Sequence, residues 1–189
     1  MSVRGEGMEG EILLWIQEHV RSAAITPAVE WITHLGDTAF IWILMAAVFF
    51  VFPRTRETGL RVIAALLGSL AVNNLILKNL VARVRPYEVI EGLELLIERQ
   101  PDWSFPSGHS AASFAAATVI WLSHRRTGWP AVVLAGLIAL SRLYVGVHYP
   151  TDVMFGALSG IIIGVIVCRV WDRMAGKENE RDVRRTDRE

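Results

Sequence analysis

Cysteine is nearly missing from this chain: 189 residues hold one, Cys168, inside an apolar run. No intramolecular disulfide can form, and a thiolate metal cluster is excluded. Cys168 reads as a small membrane-buried residue. Net charge is missing as well. Nineteen Lys and Arg balance nineteen Asp and Glu, which removes the basic surplus that a nucleic-acid partner would require. The amino end lacks the long apolar core and small-residue cleavage site of a signal peptide. Residues 1–9, rich in glycine and charge, are expected to be a disordered start.

Apolar surface is what the chain has in plenty. Hydrophobic residues make up 52%, and mean hydropathy is +0.37, above the usual range of a soluble domain. Five apolar segments stand out, at 37–52, 57–81, 108–123, 129–147 and 151–171. A helix needs about 20 apolar residues to cross the hydrocarbon, so the first and third must reach into the interface or stand nearly upright. As soluble core helices these segments would lack the polar surface needed to cover them. Residues 10–35 mix apolar side chains with Glu11, Glu18, Arg21 and Glu30. They read as two short amphipathic helices in the membrane interface, the second opened by Thr26 as cap and Pro27 at the first position. A sixth span there would put several charges into hydrocarbon. The expected fold is therefore all-α: a polytopic membrane helix bundle of about five transmembrane helices preceded by short amphipathic interfacial helices. The bundle proper covers 36–173, and 174–189 form a charged tail.

Basic residues set the expected orientation. Arg54, Arg56 and Arg61 follow the first span, His124, Arg125 and Arg126 follow the third, and Arg169, Arg173, Lys177 and further arginines crowd the tail. All fall on one side, which the positive-inside rule makes cytoplasmic. The amino terminus, loop 82–107 and the turn 148–150 then face outward.

Three clusters of reactive residues end up on that outer side. Lys78 and Arg85 are two helical turns apart, so one continued helix would align both cations before Pro86 stops it. Asn74, one turn earlier, could bond the ammonium or a neighbouring helix. In Pro106-Ser107-Gly108-His109, Ser107 caps a helix start, Gly108 admits a ligand close to the backbone, and His109 stands in the first turn beside the orphan N–H groups. In Ser141-Arg142…His148…Asp152, a helix begun near Pro150 puts the carboxylate one turn from the imidazole, able to fix its tautomer. Each cluster has a plainer reading when taken alone: a snorkelling lysine, a capping serine, an aspartate complementing a helix dipole. Together they supply three cations, an open helix start, two histidines and a carboxylate, which suits phosphate binding and displacement by a histidine nucleophile. Arg83 lacks useful spacing and reads as an interfacial charge. His19, His34 and His124 read as interfacial, and the tryptophans at 15, 31, 42, 121, 129 and 171 as belts and packing. In loop 87–105, Ile90, Leu93, Leu96 and Ile97 form a stripe among glutamates, expected as a surface helix on the bilayer, with a lid beside a lipid entrance as the alternative. Trp103 suits an interfacial anchor.

Lys78-x6-Arg85-Pro86, Pro106-Ser107-Gly108-His109 and Ser141-Arg142-x5-His148-x3-Asp152 resemble the complete signature of the type 2 phosphatidic acid phosphatase superfamily. The likeness covers roughly residues 30–172, and the compact layout is similar to small undecaprenyl-pyrophosphate phosphatases. The amino end departs from larger bacterial relatives, which carry an additional spanning helix. The resemblance implies that 36–173 are a transmembrane phosphatase domain acting on a lipid phosphate at the outer membrane face, without metal or other cofactor. It implies that Lys78, Arg85 and Arg142 hold the phosphoryl oxygens, with Ser107 and the Gly108 N–H completing the cradle. His148 would attack phosphorus, Asp152 would orient it, and His109 would protonate the leaving oxygen and later activate water. Undecaprenyl pyrophosphate is the expected substrate, with phosphatidylglycerol phosphate and phosphatidic acid as alternatives. A non-enzymatic lipid-phosphate binding or translocating protein would use the same cations, and a vanadate-dependent oxidant is disfavoured by the spans.

Overall fold

The computed structural model describes residues 7–186, with backbone alone at residue 127 and at 177–186. Its helices are α1 (Met8–His19), α2 (Thr26–Leu35), α3 (Phe40–Val51), α4 (Arg56–Ser69), α5 (Lys78–Val81), α6 (Pro86–Val89), α7 (Gly108–Ser123), α8 (Arg125–Tyr144) and α9 (Pro150–Thr186). A π-helical segment, Leu70–Leu77, joins α4 to α5, and a 3-10 turn, Asp37–Ala39, precedes α3. No strand occurs among the described residues.

Helix α7 lies at the centre, packed by α4, α8 and α9. Its sequence explains why. Ala111, Ala115, Ala116 and Ala117 are buried along it, and small residues let helix backbones approach closely where lipid removes any hydrophobic drive. The matching face of α9 carries Gly156, Gly160 and Gly164. A Cβ at Gly156 would stand 2.5 Å from the Ser107 carbonyl oxygen, one at Gly164 2.8 Å from that of Ala115, and one at Gly160 would collide with that of Ala111. This contact locks the start of α7, where His109 sits, against the start of α9, where Asp152 sits. Trp42 is wholly buried in the core, its indole N–H donating to Ser113 Oγ at 2.9 Å, so it is packing rather than a belt residue. The outer surface is apolar: Ile43, Leu67, Leu75, Leu140 and Ile162 are all exposed, as lipid contact requires.

By length and apolar composition, Arg56–Val89 and Pro150–Gly176 each suffice to cross a membrane. Thr26–Leu35 and Asp37–Val51 pass together as a pair bent by 55°. Helix α7, with 16 residues, and the Gly128–Tyr144 part of α8 are shorter. By length and composition α2 is thus one arm of a bent helix pair, either a broken span or a re-entrant turn. Its Thr26 lies inside the helix after Ile25, with its hydroxyl donating to the Ser22 carbonyl at 2.8 Å.

The structure corrects three local expectations. Helix α1 begins at Met8, so Glu9 is helical rather than part of a disordered start; residues 1–6 lie outside the described residues, as do 187–189 of the tail. Lys78 and Arg85 do not share a helix. Backbone turns left-handed at Ala82 (φ 47°), and Pro86 opens α6 with its ring-fixed φ at the first turn instead of ending a helix. The stripe in 87–105 is not a surface helix beyond Val89. Ile90 and Leu93 are buried with Leu13 and Tyr149, and Leu95, Leu96 and Ile97 pack on Tyr144, Val145 and Val147. Burial under α1 and the end of α8 outweighs helix propensity there, aided by Gly92 at φ 81°.

Candidate active site

A cavity of about 430 Å³ opens among α3, α4, the π-helical segment, α7 and α8. One end is polar and holds Lys78, Arg85, Asp102, His109, Arg142 and His148; the other is walled by Ile43, Ile63, Leu66, Leu67 and Leu70. Of the residues singled out in the sequence, Lys78, Arg85, Gly108, His109, Arg142 and His148 line it. Ser107 and Asp152 are set back from the wall, both wholly buried.

Each element delivers its group by identifiable means. The π-helical turn, a feature frequent at functional sites, precedes Lys78, which is 5% exposed. The break at Ala82 brings Arg85 round from the start of α6. Its Nη1 donates to the Val147 carbonyl at 2.8 Å and lies 3.5 Å from His148 Nε2. Ser107 caps α7 by accepting from the Ser110 amide at 3.3 Å, while its own amide donates to the Asp152 carbonyl at 3.0 Å. Gly108 is needed for space: a Cβ would stand 2.9 Å from Asn74 Nδ2, so Asn74 packs against this helix start.

His148 is 1% exposed and sits with Nε2 toward the cations and Nδ1 toward Asp152. The Nδ1–Oδ2 separation is 3.5 Å, long for a hydrogen bond. Ser104, absent from the sequence reading, lies beside both, its hydroxyl donating to Asp152 Oδ2 at 2.5 Å and 3.5 Å from Nδ1. Burial pushes the His148 imidazole down to about 3, against the Asp152 bond and with help from Arg85 and Arg142. It is a neutral nitrogen base at physiological pH.

Arg142 is 1% exposed and donates from Nη1 to Thr33 Oγ1 at 2.7 Å; its Nε and Nη2 have no partner among the described residues. Buried donors of a guanidinium are rarely left so, because an unmade bond to a charged group is costly. An anion in the cavity could accept from them. Two carboxylates missing from the sequence reading complete the site. Asp102 bridges Lys78 and Arg85, with Oδ1 2.5 Å from Arg85 Nη2. Burial would raise its carboxyl, but Lys78 and Arg85 outweigh that and hold it below the ordinary value. Asp37 Oδ1 lies 2.8 Å from His109 Nε2, and its Oδ2 is 2.7 Å from His34 Nδ1. His34 is therefore not a lone interfacial residue. Nor is His124, 3.0 Å from Thr58 Oγ1, or His19, stacked on Trp15. Gly36 gives His109 its place, since a Cβ there would stand 2.7 Å from the imidazole Cδ2.

Lys78, Arg85 and Arg142 converge beside the His148 imidazole at the polar end of the cavity, an arrangement that can hold an anion next to a nitrogen base. The chain belongs to the PAP2 superfamily, whose sequence profile matches residues 58–174. It is a membrane protein. It is 33% identical over 135 residues to the bacitracin transport permease protein BcrC of Bacillus licheniformis, a match covering 70% of this chain and 66% of that one. With the undecaprenyl-diphosphatase BcrC of Bacillus subtilis it shares 32% over 151 residues, 80% of this chain and 77% of the relative. The chain thus spans about two thirds of the first relative's length. The crystal structure of Aquifex aeolicus LpxE superimposes with a TM-score of 0.74 at 29% identity, covering 89% of this chain and 99% of that one.

Proposed function

We propose that the chain is a lipid phosphatase that hydrolyses a phosphate monoester or diphosphate on a lipid at the outer membrane face, with undecaprenyl pyrophosphate the leading substrate. The observation that carries this is the pair of unpaired, buried Arg142 donors lining one cavity with His148, whose Nε2 faces the cations. The apolar walls from α3 and α4 suit a lipid tail. The undecaprenyl-diphosphatase name of a relative with 32% identity supports the diphosphate reading.

Lys78, Arg85 and Arg142 take the phosphoryl oxygens and neutralise charge that grows in the transition state, with the Asp102 carboxylate displaced from the first two. The Gly108 N–H adds a donor, and Ser107 holds that helix start in place. His148 Nε2 forms the bond to phosphorus as the bond to the leaving oxygen breaks, giving a phosphohistidine. Asp152 stabilises the imidazolium through Nδ1. His109, held by Asp37, gives a proton to the leaving oxygen, then takes one from the water that attacks phosphorus and releases phosphate.

Purified protein in detergent, with chelator present, is to be assayed against undecaprenyl pyrophosphate, phosphatidylglycerol phosphate and phosphatidic acid by phosphate release. The diphosphate is expected to give the highest kcat/KM. His148→Ala should abolish turnover and phosphoenzyme. His109→Ala should still form an acid-labile phosphoenzyme from an aryl phosphate, whose leaving group needs little protonation. Binding of lipid phosphate without any release would establish a binding or translocating protein instead. Label trapped in His148→Ala but absent from His109→Ala would reverse the two roles.

A further inference from the structure

Arg83, read from the sequence as an interfacial charge, lies behind the nucleophile, between Asp152 and groups that the reaction does not otherwise use. Its Nη1 donates to Asp152 Oδ1 at 2.7 Å and to Thr151 Oγ1 at 2.8 Å. Its Nη2 donates to Glu9 Oε2 at 2.7 Å, and the guanidinium lies 3.7 Å over the Tyr149 ring. Glu9 turns its other oxygen to the first turn of α9, accepting from the Thr151 amide at 2.9 Å and the Thr151 hydroxyl at 2.7 Å. Three stretches far apart in sequence meet here: α1, the break after α5, and the start of α9 with the turn before it.

Asp152 divides its oxygens between two tasks. Oδ2 takes the Ser104 hydroxyl, the Tyr149 amide at 3.0 Å and the His148 side at 3.5 Å. Oδ1 goes to Arg83. The Asp152 side chain is wholly buried, and a buried carboxylate stays ionised only when a cation and hydrogen bonds replace water. The neutral imidazole provides no such charge before phosphorylation. Among the described residues, Arg83 is the one salt-bridged Lys or Arg partner of Asp152. The guanidinium reaches Asp152 through Nη1 and Glu9 through Nη2, so one rigid plane ties the two carboxylates together, as a single ammonium would not.

We propose that Arg83 is a positioning residue that acts on the nucleophile through Asp152, and that Glu9 of α1 holds Arg83 in register, so that α1 is part of the catalytic support. This rests on the phosphatase reading above.

The test is a double-mutant cycle between Arg83 and Asp152, with kcat, KM, phosphoenzyme formation and the Ki of inorganic phosphate measured for each form. Arg83→Gln should lower kcat and the rate of phosphoenzyme formation by roughly tenfold or more, with KM and phosphate Ki held within about threefold because the front cations are untouched. Arg83→Lys should recover part of the loss, and Glu9→Gln should lie between it and wild type. In an Asp152→Asn background, Arg83→Gln should cost no more than about twofold further, because a group acting through another loses its effect when that other is gone. Normal kcat in Arg83→Gln, or a full multiplicative loss in the double variant, would overturn the relay. Should Arg83→Gln fail to bind phosphate through misfolding, Arg83→Lys and Glu9→Gln decide: wild-type kcat in both overturns the proposal, and a lowered kcat with unchanged phosphate Ki supports it. Wild-type protein without hydrolytic activity would overturn the phosphatase reading and the relay together, whereas active wild type with an indifferent Arg83 overturns the relay alone.

Discussion

At the scale of single residues, the difference between Arg142 and the other two cations decides what each variant will do. Arg85 already spends its N–H groups on Asp102, Val147 and Trp103, while Arg142 keeps two in reserve. Arg142→Lys retains the charge but loses the planar fork that can grip two phosphoryl oxygens. We expect turnover to fall at least about tenfold, roughly 1.4 kcal/mol of barrier, as measured by phosphate release; activity near wild type would reduce Arg142 to a structural cation. The buried His148 gives a second expectation. Its folded pKa is about 3 against 6.5 for the free group. Between those values the unfolded chain binds a proton that the fold does not, so the stability from burying it neutral is complete above 6.5 and is lost as pH falls toward 3. His148→Asn should therefore show a flatter fall in apparent Tm than wild type from pH 7 to pH 4; parallel curves would contradict neutral burial. The motif residues were legible in the sequence because their spacing repeats a known pattern. Asp37, Ser104 and Asp102 were not, because each acts on a partner brought near only by the fold: Asp37 and His109 are 72 positions apart, Ser104 and Asp152 are 48.

At the scale of elements, the apolar segments located every helix of the bundle core, whereas breaks and loops escaped them. The left-handed turn at Ala82 has no glycine or proline at that position to announce it, so a continuous helix through Lys78 and Arg85 was the natural expectation. The stripe in 87–105 has helical spacing, yet its apolar side chains are satisfied by α1 and the end of α8, contacts that no local window contains. The tight seam of α7 and α9 went unread: Gly156, Gly160 and Gly164 recur every fourth residue, but only the fold sets them opposite the alanines of α7. Here a paired substitution is informative. Gly160→Ala would drive a Cβ into the Ala111 carbonyl, and overpacking of that kind costs about 1–3 kcal/mol. Gly136→Ala, on α8 with nothing among the described residues within 4 Å of the added carbon, should be neutral or gain up to about 1 kcal/mol from helix propensity. Thermal unfolding in detergent distinguishes them. Activity should fall with stability in Gly160→Ala, because the same seam sets His109 against the His148 and Asp152 pair; equal melting temperatures for both variants would show that the seam is not tight.

At the scale of the whole molecule, the basic turns and the chemistry separate to opposite ends of the bundle. The turn between α3 and α4, the turn between α7 and α8 and the far part of α9 meet: His124 stacks on Phe49 and lies 3.0 Å from Thr58 Oγ1, and Arg61 bridges to Asp172 at 2.8 Å beside Trp171. The basic residues at 54, 56, 61, 125, 126, 169 and 173 therefore gather at one end, while His148, Asp102 and α6 lie at the other. A polybasic end favours the cytoplasmic side during insertion, so the site should open outward and the carboxyl end should be cytoplasmic. Substrate delivered across the bilayer would then meet the cations from the outer leaflet. Single cysteines in a Cys168→Ala background test this with a membrane-impermeant maleimide. Glu98→Cys, on an exposed position of the loop beside the site, should label in intact cells. Arg125→Cys, exposed at the basic end, should label only after permeabilisation. Labelling of position 125 but not 98 in intact cells would invert the orientation, place the site in the cytoplasm, and require a substrate phosphorylated and consumed on the inner leaflet.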